Sequence, residues 1–229
     1  MLQPFHTIFL LVALVEIAAE IFGNEMVRFA VKPFLMPTLI AYYAQSIKGE
    51  WSRTNKLMVI AFFFSWLGDV ALMFVYKSPN FFLAGLVSFL ITHILYTISF
   101  ADVTDKKAEA LLPKKFWMLV PLLVYMGALL YLLIPAIRNN PTTQAIPIPV
   151  LVYTTAIATM TSFAMNRFKR VNDTSFLLVF SGAVLFTFSD SIIAVNRFLH
   201  PFPSPSIFIM VLYIAGQYLI ARGMVKQAN

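Results

Sequence analysis

The chain has 229 residues, 60% of them hydrophobic and only 12% charged, whereas a soluble domain carries roughly 25% charged residues. With a mean hydropathy of +0.80 it reads as a polytopic membrane protein, a single integral-membrane domain over residues 1–229 with no room for a soluble one. The absence of cysteine excludes disulfides, thiolate catalysis and Cys-ligated metal, and the net charge of +7 is spread through the loops, which points to topology and not to nucleic acid.

In chain order, eight apolar segments read as helices, near residues 5–21, 33–47, 57–76, 80–100, 115–135, 147–166, 174–195 and 205–222. The first lacks a basic leader and a cleavage site, so it is expected to stay as a span. It carries Glu16 and Glu20 near its outer end, where an interfacial role is expected. The second opens on Lys32-Pro33, with Pro33 and Pro37 expected in the first turn, where proline is tolerated. Polar stretches such as "IKGEWSRTNK", "RNNPTTQ" and "HPFPSPS" separate the segments. Eight spans put both termini on one side. That side holds twelve Lys and Arg against five on the other, so both termini are expected in the cytoplasm.

Two acids stand where hydrocarbon is expected. Asp69 lies in "FSWLGDVALMF" and Asp190 in "LFTFSDSIIAV". A charge in that setting costs several kcal/mol, so such residues are usually functional; a helix-packing role is the plain alternative. The two segments resemble each other at an offset of four helices. That suggests a weak 4+4 parallel repeat with the aspartates facing across the bundle.

At 1.5 Å per residue, Asp69 and Asp190 lie roughly 10 Å and 8 Å below the outer end. Tyr153 falls at similar depth, Tyr213 slightly deeper and His93 deeper still, with Lys32 at the outer mouth. These groups are expected to line one cavity in the non-cytoplasmic half. His93 and Tyr96 share a helix face; a lone intramembrane histidine can also simply bond a neighbouring helix. Ser189 lacks a well-placed second histidine, so a hydrogen bond to substrate or acid suits it better than nucleophilic attack. The three histidines, His6, His93 and His200, are too scattered for a tri-histidine zinc site.

These motifs together resemble the YhhN-like family of membrane proteins, whose characterised members are lysoplasmalogenases. The resemblance runs through Lys32-Pro33, "FSWLGD" ending at Asp69, "THILY" with His93 and Tyr96, and "SGAVLFTFSDSIIAVNRF" with Ser189, Asp190, Asn196 and Arg197. It continues into "VLYIAGQYLIA" with Tyr213 and Gln217. It implies an eight-helix fold, no obligatory cofactor, and hydrolysis of the vinyl ether bond of a lysophospholipid to a fatty aldehyde and a glycerophospho-base.

That chemistry needs a general acid at the alkene carbon and a negative charge beside the oxocarbenium ion that results. Two carboxylates in unlike environments can supply both. Asp69 and Asp190 are the expected pair, with His93 tuning one of them. Tyr96, Tyr153, Ser189 and Tyr213 are candidate hydrogen-bonding groups around the substrate. Lys32, with Arg197, would hold a phosphate; snorkelling interfacial cations are the plain reading. Asn196 and Gln217 are weaker head-group candidates. Besides the lysolipid, only membrane lipids are expected as partners. The competing class is a transporter with proton-carrying intramembrane carboxylates.

Overall fold

A computed structural model describes residues 4–141, 143–144 and 146–228, all helical or loop. The helices are α1 (Pro4–Ile21), α2 (Glu25–Ser46), α3 (Arg53–Met73), α4 (Pro79–Ala101), the single turn α5 (Leu111–Lys114), α6 (Val120–Arg138), α7 (Pro147–Met165), α8 (Asp173–Phe198) and α9 (Pro205–Ala228). A 3₁₀ turn, Phe116–Leu119, leads into α6. Seven of the eight long helices are long and apolar enough to cross a membrane, which supports a multi-pass integral membrane protein.

The eighth, α2, differs from the sequence expectation. It begins at Glu25, capped by the Asn24 side chain accepting from Val27 N, so Pro33 and Pro37 fall inside the helix. A proline at position 37 leaves the Pro33 carbonyl without its usual i+4 donor. The Trp66 indole of α3 supplies one, at 2.9 Å. A freed carbonyl at membrane depth is thus satisfied by a neighbouring helix. Near the other end the Tyr43 hydroxyl donates to Asn55 Oδ1 at 2.7 Å, so α2 runs antiparallel along α3. α2 is the least apolar of the long helices, with Glu25, Arg28 and Lys32 in its first half and two prolines, Tyr42, Tyr43 and Gln45 further on.

The remaining starts follow local capping. Ser52 accepts from Asn55 N and begins α3 four residues earlier than expected. Asn172 does the same for Ser175 N at α8. Pro121 sits in the first turn of α6, which therefore begins later than residue 115.

Six helices close a ring in the order α2, α3, α4, α7, α8, α9, with α9 returning to α2. The second three repeat the order of the first three, as the parallel 4+4 repeat expects. The closest pairs are the α3–α4 and α8–α9 hairpins. In the latter, a Cβ at Gly182 would stand 2.7 Å from the Gly216 carbonyl, so only glycine lets the backbones approach this far. The two outer helices break the symmetry. α1 packs against α2 and α9, whereas α6 packs against α7 and α8.

One end gathers the C-terminus and three loops. Gln227 Nε2 donates to Asp102 O at 2.8 Å, Asn172 Nδ2 to Lys226 O at 2.9 Å, and Thr54 Oγ1 to Asp102 Oδ2 at 2.5 Å. The N-terminal turn reaches the same half, where His6 and Tyr218 are 2.6 Å apart. Arg167 is fully buried there and donates to Ser175 and Gln227. Burial pulls its guanidinium down to about 10, so it stays charged at neutral pH.

Candidate functional site

The polar residues of the bundle interior fall into two groups that mirror each other. In the first, Asp69 near the end of α3 accepts a 2.7 Å hydrogen bond from the Tyr213 hydroxyl of α9. In the second, Asp190 of α8 accepts on Oδ2 from the Tyr153 hydroxyl of α7. His93 Nε2 of α4 lies 3.1 Å from the same oxygen and 3.0 Å from the Tyr153 hydroxyl. A carboxylate can only accept, which puts a proton on Nε2 of His93.

The repeat shows in these contacts. Asp69 precedes His93 by 24 residues and Asp190 precedes Tyr213 by 23. Each acid is bonded by the residue that follows the other acid on its hairpin. The preceding positions correspond too. Gly68 sits against the Phe89 ring, and Ser189 Oγ donates to Ile209 O at 3.0 Å.

Between the groups stand two rings. Phe186 lies 4.9 Å from His93 and 5.4 Å from Tyr213, centroid to centroid, and Phe89 meets both Phe186 and Tyr213 edge-on. Both rings are buried. Asp69 and Asp190 lie within electrostatic reach of one another, but this aromatic wall separates them.

The second group meets open space. A cleft of about 650 Å³ runs between α3, α4, α6, α7 and α8, from the Phe82 and Phe198 end of the bundle down to Asp190 and Tyr153. Its other walls are apolar, including Leu72, Phe82, Phe89, Met126, Leu133 and Phe198. The remaining polar linings, Thr154 and Ser191, bond back to carbonyls of their own helices at 2.9 and 2.8 Å. Asp190 and Tyr153 are therefore the groups the cleft offers to a ligand. At the mouth, the exposed Arg197 guanidinium lies over the Phe82 ring at 5.2 Å, and Phe82 meets Phe198 edge-on.

Several expected site residues go elsewhere, so the single cavity lined by all of them is not what the helices build. Asp69, Tyr213, His93 and Lys32 are not on the cleft wall. Ser189 turns onto the α9 backbone, because one residue along a helix is a rotation of about 100°. The Tyr96 hydroxyl donates to Gln217 Oε1 at 2.5 Å, and Gln217 Nε2 donates to Ser65 Oγ at 3.0 Å. These buried groups staple α4, α9 and α3 together. Asn196 is half-buried near the outer end of α8.

Lys32 instead faces the Asp69 group, within electrostatic reach of Asp69 and Glu16. Glu16 is the residue the sequence expectation misplaced. It is fully buried, not interfacial, and neither carboxylate oxygen has a hydrogen-bond partner among the described residues. Its neighbour Glu20 pairs with Arg28 at 3.4 Å. The signal was the short turn between α1 and α2, which brings Glu16 and Glu20 opposite Arg28 and Lys32, each pair at four-residue spacing. Among the described residues, no three His, Asp or Glu groups converge as a metal site requires.

No solved structure matches the chain. A sequence model of the YhhN family matches residues 27–224, which takes in both acid–tyrosine groups and the whole cleft. The chain belongs to the YhhN family.

Proposed function

We propose that the protein hydrolyses the vinyl ether bond of a lysophospholipid, a lysoplasmalogen, at Asp190. The observation that carries this reading is a carboxyl group with two donors on one oxygen, at the floor of an otherwise apolar cleft inside a membrane protein. Tyr153 and His93 occupy Oδ2, so in its protonated form Asp190 presents its proton on Oδ1.

That proton goes to the alkene carbon distant from the ether oxygen and leaves an oxocarbenium ion. The Asp190 carboxylate, held by Tyr153 and His93, faces this cation and stabilises it. Water adds to the cationic carbon and returns a proton to Asp190, giving a hemiacetal. The hemiacetal collapses to a fatty aldehyde as its hydroxyl loses a proton and the departing glycerol oxygen gains one. The sum is one ether and one water converted to one aldehyde and one alcohol, and no cofactor takes part. Asp69 stands behind the Phe89–Phe186 wall and acts at a distance, not by contact.

Arg197 stands seven residues beyond Asp190 on α8, roughly 10 Å along the helix. With the enol ether at Asp190, a phosphate joined through glycerol lies toward the mouth, where Arg197 can bind it. This assigns the phosphate to Arg197, while Lys32 balances the Glu16 and Asp69 carboxylates.

The test is aldehyde release from a lysoplasmalogen by purified protein in detergent, run in deuterium oxide. Aldehyde carrying one deuterium on the carbon next to the carbonyl is expected. Well-folded protein that releases no aldehyde from any vinyl ether lysolipid would overturn the reading. A proton-coupled carrier, the other class that buried acids and a repeat suit, needs a sealed vesicle to act and makes no aldehyde in detergent.

A further inference from the structure

A second cleft lies directly beyond the first. It has about 900 Å³ of open space. Its walls are α6, α7 and α8, through Leu122, Tyr125, Thr161, Phe180, Val184 and Thr187. The two clefts share no lining residue, yet they abut on all three helices at one-turn spacing. Met126 of the first is followed by Leu122 of the second, Ile157 by Thr161, and Ser191 by Thr187.

Its two threonine hydroxyls are already paired. The Thr161 and Thr187 hydroxyls lie 2.9 Å apart, and each also bonds its own helix, to Ile157 O at 3.0 Å and Ala183 O at 2.9 Å. Tyr125 packs edge-on against Phe188. The trough is apolar in effect, and from Asp190 to Phe180 it runs roughly 15 Å along α8. Its roof, α6, has the smallest share of buried residues among the seven candidate spans.

We propose that this trough beneath α6 holds the hydrocarbon chain of the lipid whose polar end occupies the Asp190 cleft. This rests on the reading of Asp190 given above, and it adds where the chain lies and what limits its length. The order of groups along the track matches one molecule. The Arg197 cation comes first, then the Asp190 carboxyl, then an apolar slot closed to hydrogen bonding. A phosphate, an ether oxygen with its double bond, and a long chain follow one another in the same order in a lysolipid. A chain moving in from the bilayer under α6 crosses no polar barrier. Because the bilayer is as apolar as the trough, selection among chains is by fit and not by the hydrophobic effect.

Val184 lies six residues before Asp190, roughly 9 Å away along α8, and takes no part in the chemistry. In Val184→Trp, turnover of a hexadecenyl lysolipid should fall at least tenfold while that of a butenyl analogue changes less than twofold. Retained short-chain activity also reports an intact fold. Equal losses on both substrates, or no loss on either, would overturn the proposal. A second measurement needs no hydrolysis: a non-cleavable alkyl lysophospholipid carrying a diazirine at the chain end is photolysed on the wild-type protein. Cross-links to Leu122, Phe180 or Val184 are expected. Cross-links confined to the bilayer-facing Leu123 and Leu132 would overturn it. If the protein releases no aldehyde, these cross-links still decide the trough, so the two readings fail separately.

Discussion

Two acid–tyrosine groups face each other across the Phe89–Phe186 wall, and they differ in what covers them. The Asp69–Tyr213 group is buried. Around it α1 packs against α2 and α9 and brings in Glu16, opposite Lys32. The Asp190–Tyr153–His93 group is open, because α6 leans on α7 and α8 and leaves space down to the carboxyl group. The repeated inner six helices supply two similarly placed acids. The unrepeated placement of the outer helices leaves one of the two acids beside a cleft. One acid lies on the cleft wall, and the other lies behind the aromatic wall.

This contrast can be broken at several points. The largest effect is expected at Asp190→Asn, which should lower aldehyde turnover by about 10³-fold, within the range for loss of a general acid–base group. Tyr153→Phe removes one of the two donors on Oδ2 and should cost roughly 10–100-fold, since a hydrogen bond to a charged group is worth about 1.5–3 kcal/mol. Tyr213→Phe touches only the Asp69 group, and together with Asp69→Asn should lower turnover no more than about tenfold. If Tyr213→Phe proved as damaging as Tyr153→Phe, the two groups would act as one site and the aromatic wall would not separate them. The smallest effect on activity is expected at Trp66→Phe. It leaves the Pro33 carbonyl unpaired and should cost about 1–3 kcal/mol of stability in thermal unfolding, with turnover nearly unchanged.

Much of this was legible in the sequence. The spans followed from hydropathy, and the repeat from the likeness of the two aspartate segments. What stayed hidden depends on partners distant in the chain. Pro33 and Pro37 look like a helix start until the Trp66 indole is seen capping the carbonyl that Pro37 frees. Tyr96, Ser189 and Gln217 are polar and lie near the acids in sequence or depth. Which way each points is set by how the helices are rotated against one another, and all three turn out to hold helices together. Depth along a helix can be counted from the sequence, but rotation about its axis cannot. Asp69 shows the same limit: the two rings that stand between it and the cleft were not foreseeable.

The most direct test of the account is turnover by Asp190→Asn beside Asp69→Asn, purified in the same detergent and assayed for aldehyde from one lysoplasmalogen, with folding of both confirmed by thermal unfolding. The account predicts a loss of about 10³-fold for Asp190→Asn and about tenfold or less for Asp69→Asn. Near-full activity of Asp190→Asn, or a greater loss in Asp69→Asn, would contradict it.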